Sequence, residues 1–164
     1  MSDQPSASPH LYPDQPRVGV GVLVWRGNHL LLIRRAKAPL AGEWCLPGGS
    51  QELGETLFQT AVREVREETA VSCRPYAVLT AVDGITRDPR PTGAEPEVEP
   101  RVRFHFTIVE IMAEYTGGEP VAGDDAAAAL WADREACERL VTWPSIKAVV
   151  DLGWVARADK GLEA

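Results

Sequence analysis

The stretch "GSQELGETLFQTAVREVREETAV", Gly49 to Val71, decides how this chain is read. Thr56 followed three residues later by Gln59 is a capping-box pattern, in which each side chain satisfies the other residue's backbone N–H. A helix therefore starts there. Advancing by about 100° per residue, Phe58, Ala61, Val62, Val65 and Thr69 fall on one arc suited to docking on a sheet. Glu64, Glu67 and Glu68 fill a second arc that begins where the first ends, with Glu68 nearest the core side. Like charges three and four residues apart repel. Two explanations are open: a solvated acidic face, or a cradle for a cation. Hard divalent ions such as Mg²⁺, or Mn²⁺ in its place, take oxygen ligands, and glutamates in this register can supply them.

The residues just upstream favour the cradle. In "LPGGSQELGE", Leu46 to Glu55, the glycines Gly48, Gly49 and Gly54 read as a tight loop whose main chain can come close to a ligand or metal. Arg63 lies four residues before Glu67 and can steady a carboxylate.

Loop, cap and glutamates together resemble the signature of the Nudix hydrolase family, in its MutT-like form. That signature runs Gly, five residues, Glu, seven residues, then Arg-Glu-apolar-any-Glu-Glu-any-Gly-apolar. Gly49, Glu55, Arg63, Glu64, Val65, Glu67, Glu68 and Val71 fill its places, and Ala70 stands where Gly is usual. A Gly there suits left-handed backbone leaving a helix, so Ala costs on the order of 1 kcal/mol if that conformation is used.

The resemblance implies a fold of the α/β class, a Nudix-type α/β/α sandwich with a mixed β-sheet. It implies a metal-dependent pyrophosphohydrolase that cleaves a nucleoside diphosphate linked to another moiety by water attack at phosphorus. ADP-ribose or another nucleotide sugar is the favoured substrate. Alternatives are an oxidised nucleoside triphosphate or a non-catalytic nucleotide-sensing module, although such modules usually lose a signature glutamate and all three are present here. Carried onto this sequence, Glu64, Glu67 and Glu68 would hold Mg²⁺ or Mn²⁺ with the Gly49 carbonyl. Glu67 or Glu64 would take the water's proton, with Asp124 and Asp125 as loop alternatives and Glu119 a weaker one. Arg35 would contact substrate phosphate, Gly48 would lie against substrate, and Arg63 and Glu55 would brace the glutamates.

The rest of the chain sets bounds. Its 164 residues suit one domain, with residues 1–16, rich in Pro, Ser, Gln and Asp, as a flexible lead and residues 17–160 as the domain. A net charge of −7 argues against a nucleic-acid surface but not against a small phosphorylated ligand, because a bound cation reverses the local sign. Cys45, Cys73 and Cys137 show no metal-ligand spacing and read as buried thiols in a reducing compartment. With no basic, apolar leader and no membrane-length apolar run, the expected location is the cytoplasm. The expected partner is a small nucleotide diphosphate, with no nucleic acid and no membrane; a homodimer is open.

"RVGVGVLVW" (Arg17 to Trp25) and "HLLLIRRA" (His29 to Ala36) read as a hairpin, followed by a short extended piece around Trp44 to Leu46. After the helix, "VSCRPYAVLTAVDG" and "RVRFHFTIVEIMAEY" read as strands flanking a Pro-rich acidic loop, Ile85 to Pro100. Loops of that length tend to be functional, and this one is expected to border the pocket or a subunit interface and to influence substrate choice. A short strand at "AALWAD" and helical patterns near Arg134–Leu140 and Ser145–Ala156 follow. Trp25, Trp131, Trp143 and Trp154 read as core or docking residues, and Trp44 as packing under the loop.

Overall fold

A computed structural model describes residues 10–37, 40–93, 99–123 and 125–159. Strand β1 (Arg17–Arg26) is buried on both faces from Val20 to Trp25, as the near-continuous apolar run of an interior strand requires. It turns at Gly27, in left-handed backbone, into antiparallel β2 (His29–Arg35). Two short strands follow, β3 (Trp44–Cys45) and β4 (Gly48–Ser50), then α1 (Leu57–Thr69), β5 (Ser72–Arg87), β6 (Val102–Gly117) and β7 (Ala126–Ala132). Helices α2 (Arg134–Leu140) and α3 (Pro144–Ala158) end the chain.

The sheet order is β3-β2-β1-β6-β5, with β4 paired to β1 and β7 to β2. β1 and β6 run parallel while the other pairs are antiparallel, so the sheet is mixed. Alternation along β1 sends Val20, Val22 and Val24 to a core under α1. Leu23 and Trp25 go to a core under α2 and α3. Helices cover both faces, which gives the expected α/β/α sandwich. Cys45, Cys73 and Cys137 are buried and free. No helix among the described residues is long and apolar enough to cross a membrane.

Several details differ from the sequence expectation. Gly48–Ser50, expected as loop, is a strand: it pairs with Gly19–Gly21 of β1, and glycines allow the two chains to lie close. The loop expected over Ile85–Pro100 is shorter, because β5 runs to Arg87 and β6 starts at Val102. Its residues 94–98 lie outside the described residues. Tyr12, expected within the lead, is tied to this hairpin. Its N–H donates to the Arg103 carbonyl at 2.9 Å, and its hydroxyl donates to Asp88 at 2.9 Å. The Arg101 guanidinium lies 3.9 Å from its ring. Trp143 is not core: it precedes α3 and is 46% exposed.

The largest correction concerns how α1 docks. Phe58 and Val62, expected in the docking stripe, are 38% and 39% exposed, while Thr60 and Glu68 are buried beside Ala61, Val65 and Thr69. At about 100° per residue, the buried arc is turned by roughly 60° towards the glutamates. The physical reason is β4. Gly49 leaves side-chain-sized room on the face that α1 covers, which the Glu64 carboxylate fills, and the Gly48 N–H draws in Glu68.

Candidate active site

Helix α1 begins as the sequence dictates. Thr56 accepts from the Gln59 N–H, and the Gln59 side chain accepts from the Thr56 N–H. It ends at Ala70, which adopts left-handed backbone with φ 58°. The loop after β6 is stitched to its last turn, with Val121 N–H donating to the Thr69 carbonyl and Gly123 N–H to the Glu68 carbonyl.

Two of the three glutamates face β4. Glu68 accepts from the Gly48 N–H at 2.8 Å. The Glu64 carboxylate rests on Gly49, where any β-carbon would overlap it. Burial raises the pKa of both, Glu68 to about 7, and Glu64 repels Glu68 as well. Positive charge offsets only part of this, from Arg63 at Glu64 and from Arg35 at Glu68. Arg35, at the end of β2, also lies beside the Cys45 thiol, which sets it at the same edge as Glu68. Arg34 is exposed, as strand alternation requires.

Arg63 braces the cluster. It donates to both Glu55 oxygens, from Nε at 2.7 Å and Nη2 at 2.9 Å, and from Nη1 to Glu64 at 2.7 Å. It also donates to the Ser50 carbonyl at 3.1 Å, so the guanidinium joins β4, the following turn and α1. Hydrogen bonds from Arg63, the Glu52 N–H and Thr60 hold Glu55 down at about 2, and the Glu55 hydrogen bonds raise the Arg63 pKa in turn.

Glu67 is placed differently: its side chain is 60% exposed and meets Arg63 at 3.3 Å. Among the described residues no three His, Cys, Asp or Glu side chains are already gathered as a metal cage. The donor set nevertheless suits a hard cation. Glu64 and Glu68 are oxygen donors in a half-buried setting that penalises their charge, and solvent-facing Glu67 is free to swing.

The loop alternatives separate. Asp125 pairs with Lys37 and adds to the negative potential at Glu68. Asp124 lies outside the described residues. Glu119 pairs with Arg26 and is 71% exposed, on a different part of the surface. Sequence reading passed over Glu110, a second carboxylate as buried as Glu68. Its signal was present: it is the sole charge in the run Phe106–Ala113.

The NUDIX domain model matches residues 15–153, and the chain belongs to the Nudix family. An ADP-ribose pyrophosphatase of Methanocaldococcus jannaschii is 34% identical over 118 residues, covering 72% of this chain and 62% of that protein. The 8-oxo-dGDP phosphatase NUDT18 of Danio rerio is 32% identical over 122 residues, covering 71% of this chain and 32% of that protein. The chain thus spans less than two thirds of either relative. The crystal structure of a MutT NUDIX hydrolase from Burkholderia pseudomallei matches with a TM-score of 0.66 at 26% identity, over 85% of this chain and 98% of that one.

Proposed function

We propose that this chain is a metal-dependent hydrolase that splits the phosphoanhydride of a nucleoside diphosphate derivative. One observation carries the reading: Glu64 and Glu68 are held against the glycines of β4 in an environment that penalises their charge. A part-buried pair of this kind is better explained by a cation than by packing. Glu64, Glu67 and Glu68 would hold Mg²⁺ or Mn²⁺, with the Gly49 carbonyl beside them. Such an ion supplies charge neutralisation on the phosphate oxygens and lowers the pKa of bound water.

The chain's own groups do the rest. Gly48 and Gly49 keep the main chain open to a phosphate, and Arg35 offers it a guanidinium. Arg63, fixed by Glu55, keeps the Glu64 carboxylate in place. Glu67 is the stronger candidate for the proton acceptor, because Arg63 reaches it through one longer contact while Glu64 is more tightly engaged. The attacking water's oxygen bonds to phosphorus, the bridging P–O bond breaks, and the water's proton passes to the carboxylate.

The relatives' names span ADP-ribose and 8-oxo-dGDP, which share a purine nucleoside diphosphate and differ in the base, in the nucleoside sugar and in the terminal ribose. ADP-ribose or another nucleotide sugar follows from the sequence resemblance, and an oxidised guanine nucleotide is supported by the NUDT18 relative. The test is a turnover screen over nucleotide sugars and nucleoside di- and triphosphates, with Mg²⁺, with Mn²⁺ and with EDTA. Hydrolysis confined to the metal-containing arms is expected. Binding without turnover on the whole panel would instead support a nucleotide-sensing module.

A further inference from the structure

Among the described residues two carboxylates are buried, Glu68 and Glu110. Glu68 accepts a backbone N–H, but Glu110 Oε2 has no hydrogen-bond partner at all. An unpaired buried carboxylate oxygen is costly, and proteins keep few without a use.

Its surroundings point to that use. Glu110 on β6 is level with Gly21 on β1, and Gly21 is paired in turn with Gly48 on β4. The carboxylate lies flat across Gly21, where a β-carbon would overlap Oε2. Met112, two residues on, packs in the α2–α3 core with Leu23 and Trp25, so Glu110 and Gly21 share that face of the sheet. The α2–α3 layer covers the Leu23 end. Back along the same face stand Gly19 and Gly84, which carry no side chain, flanked by the half-exposed Ile108 and Phe106. This part of the face therefore has a glycine floor beside apolar side chains, with the buried Glu110 acceptor at its inner end, and we refer to it as the trough; the His10 ring packs edge-on against Phe106 at 5.6 Å.

The trough lies on the opposite face of the sheet from α1 and meets the candidate active site at β4. The Gly48 N–H that binds Glu68 belongs to the strand next to Gly21. Glu110 is therefore two strand spacings from β4, roughly 10 Å, within the span of a nucleoside and its first phosphates. Both Glu68 and Glu110 also act on the buried Cys45 thiol.

We propose that Glu110 reads the nucleobase: the base lies in the Gly19–Gly21 trough, and the free Glu110 oxygen accepts N–H groups from a guanine-type edge. At pH 8, above its raised pKa of about 7, the Glu110 carboxylate is ionised and only accepts hydrogen bonds. Guanine, oxidised or not, presents adjacent N1–H and N2–H₂ donors to it. Adenine presents one donor beside the N1 lone pair, which such a carboxylate repels. Phe106 and Ile108 supply the apolar and aromatic surface on which a purine ring packs. This inference deepens the hydrolase reading and rests on its placing a nucleotide at this site.

The test is equilibrium binding of GMP and AMP at pH 8 to wild type, Glu110→Gln and Gly21→Ala, without metal, with melting curves to verify folding. Wild type is expected to bind GMP more tightly. Glu110→Gln keeps the shape but offers one donor and one acceptor, which match adenine, so GMP affinity is expected to fall tenfold or more while AMP affinity holds or improves. Gly21→Ala, which displaces the carboxylate from the other side, is expected to lose GMP affinity as well. Tighter wild-type binding of AMP, or equal changes for both nucleotides in Glu110→Gln, would overturn the proposal. GMP selectivity that depends on Glu110, in a protein that hydrolyses nothing in the turnover screen, would uphold it and remove the hydrolase reading alone.

Discussion

The Glu64 carboxylate occupies the space that a side chain at Gly49 would need. Gly49→Ala must therefore push Glu64 off β4 or push β4 off α1. Misplacing a reacting group by about 1 Å can cost roughly a hundredfold, so turnover is expected to fall by at least tenfold. Cooperative melting should be retained. Wild-type turnover in Gly49→Ala would show that Glu64 does not act from this position.

Replacing Glu68 or Glu67 by Gln is expected to lower metal-dependent turnover by roughly a hundredfold or more each. Their stability effects should differ. Glu68→Gln removes a buried charge and is expected to raise the melting temperature in EDTA at pH 8, whereas exposed Glu67 should leave it almost unchanged. Near-wild-type activity of both variants with Mg²⁺ would remove them from the metal site.

The buried acids make stability depend on pH. Burial raises both Glu68 and Glu110 from 4.5 to about 7 in the folded chain. Between those values the folded chain holds protons that the unfolded chain has released, so stability falls as pH rises. The contribution is complete below about pH 4.5 and gone above about 7. In EDTA the melting temperature is expected to decline from pH 5 to pH 8. Mg²⁺ at pH 8 should restore part of the loss, because it binds the folded form alone. Glu55 works in the opposite direction: its pKa of about 2 adds stability above pH 4.5 that is lost on acidification. A melting temperature flat from pH 5 to 8 would show that the two acids remain solvated.

Ala70 pays for its left-handed backbone. Ala70→Gly is expected to stabilise the protein by about 1 kcal/mol, which corresponds to a rise of roughly 2–4 °C in Tm. Turnover should stay within about twofold, since Ala70 ends the helix and supplies no ligand. Thermal melts and steady-state kinetics on one preparation decide it.

The hairpin beyond Phe106 stands at the open end of the glycine trough and is anchored by Tyr12. Replacing residues 89–100 with a short Gly-Ser linker is expected to change the ranking of substrates by kcat/KM more than the dependence on Mg²⁺. An unchanged ranking would make it a connector only.

The sequence revealed most of α1 because its cues are local. Thr56 and Gln59 mark the start, three glutamates in register mark the chemistry, and Arg63 lies within reach of both. How the helix docks was not legible. The apolar pattern alone places Phe58 and Val62 inward, whereas the actual packing depends on two glycines in a strand that resembles a loop. Glu110 was hidden for a similar reason. Its neighbours Gly21 and Gly48 come from strands far away in sequence, and the parallel pairing of β1 with β6 is a tertiary fact with no local signature.

The buried cysteines provide a clock for how often this sheet opens. Burial pushes the Cys45, Cys73 and Cys137 thiols up to about 11. At neutral pH they are protonated and out of a reagent's reach. Alkylation must then wait for a local opening, and its rate reports how frequently each region is released. Cys45, beside Arg35 and within the field of Glu68, would time the opening of the candidate active site. Cys137 would time the α2–α3 layer separately within the same molecule.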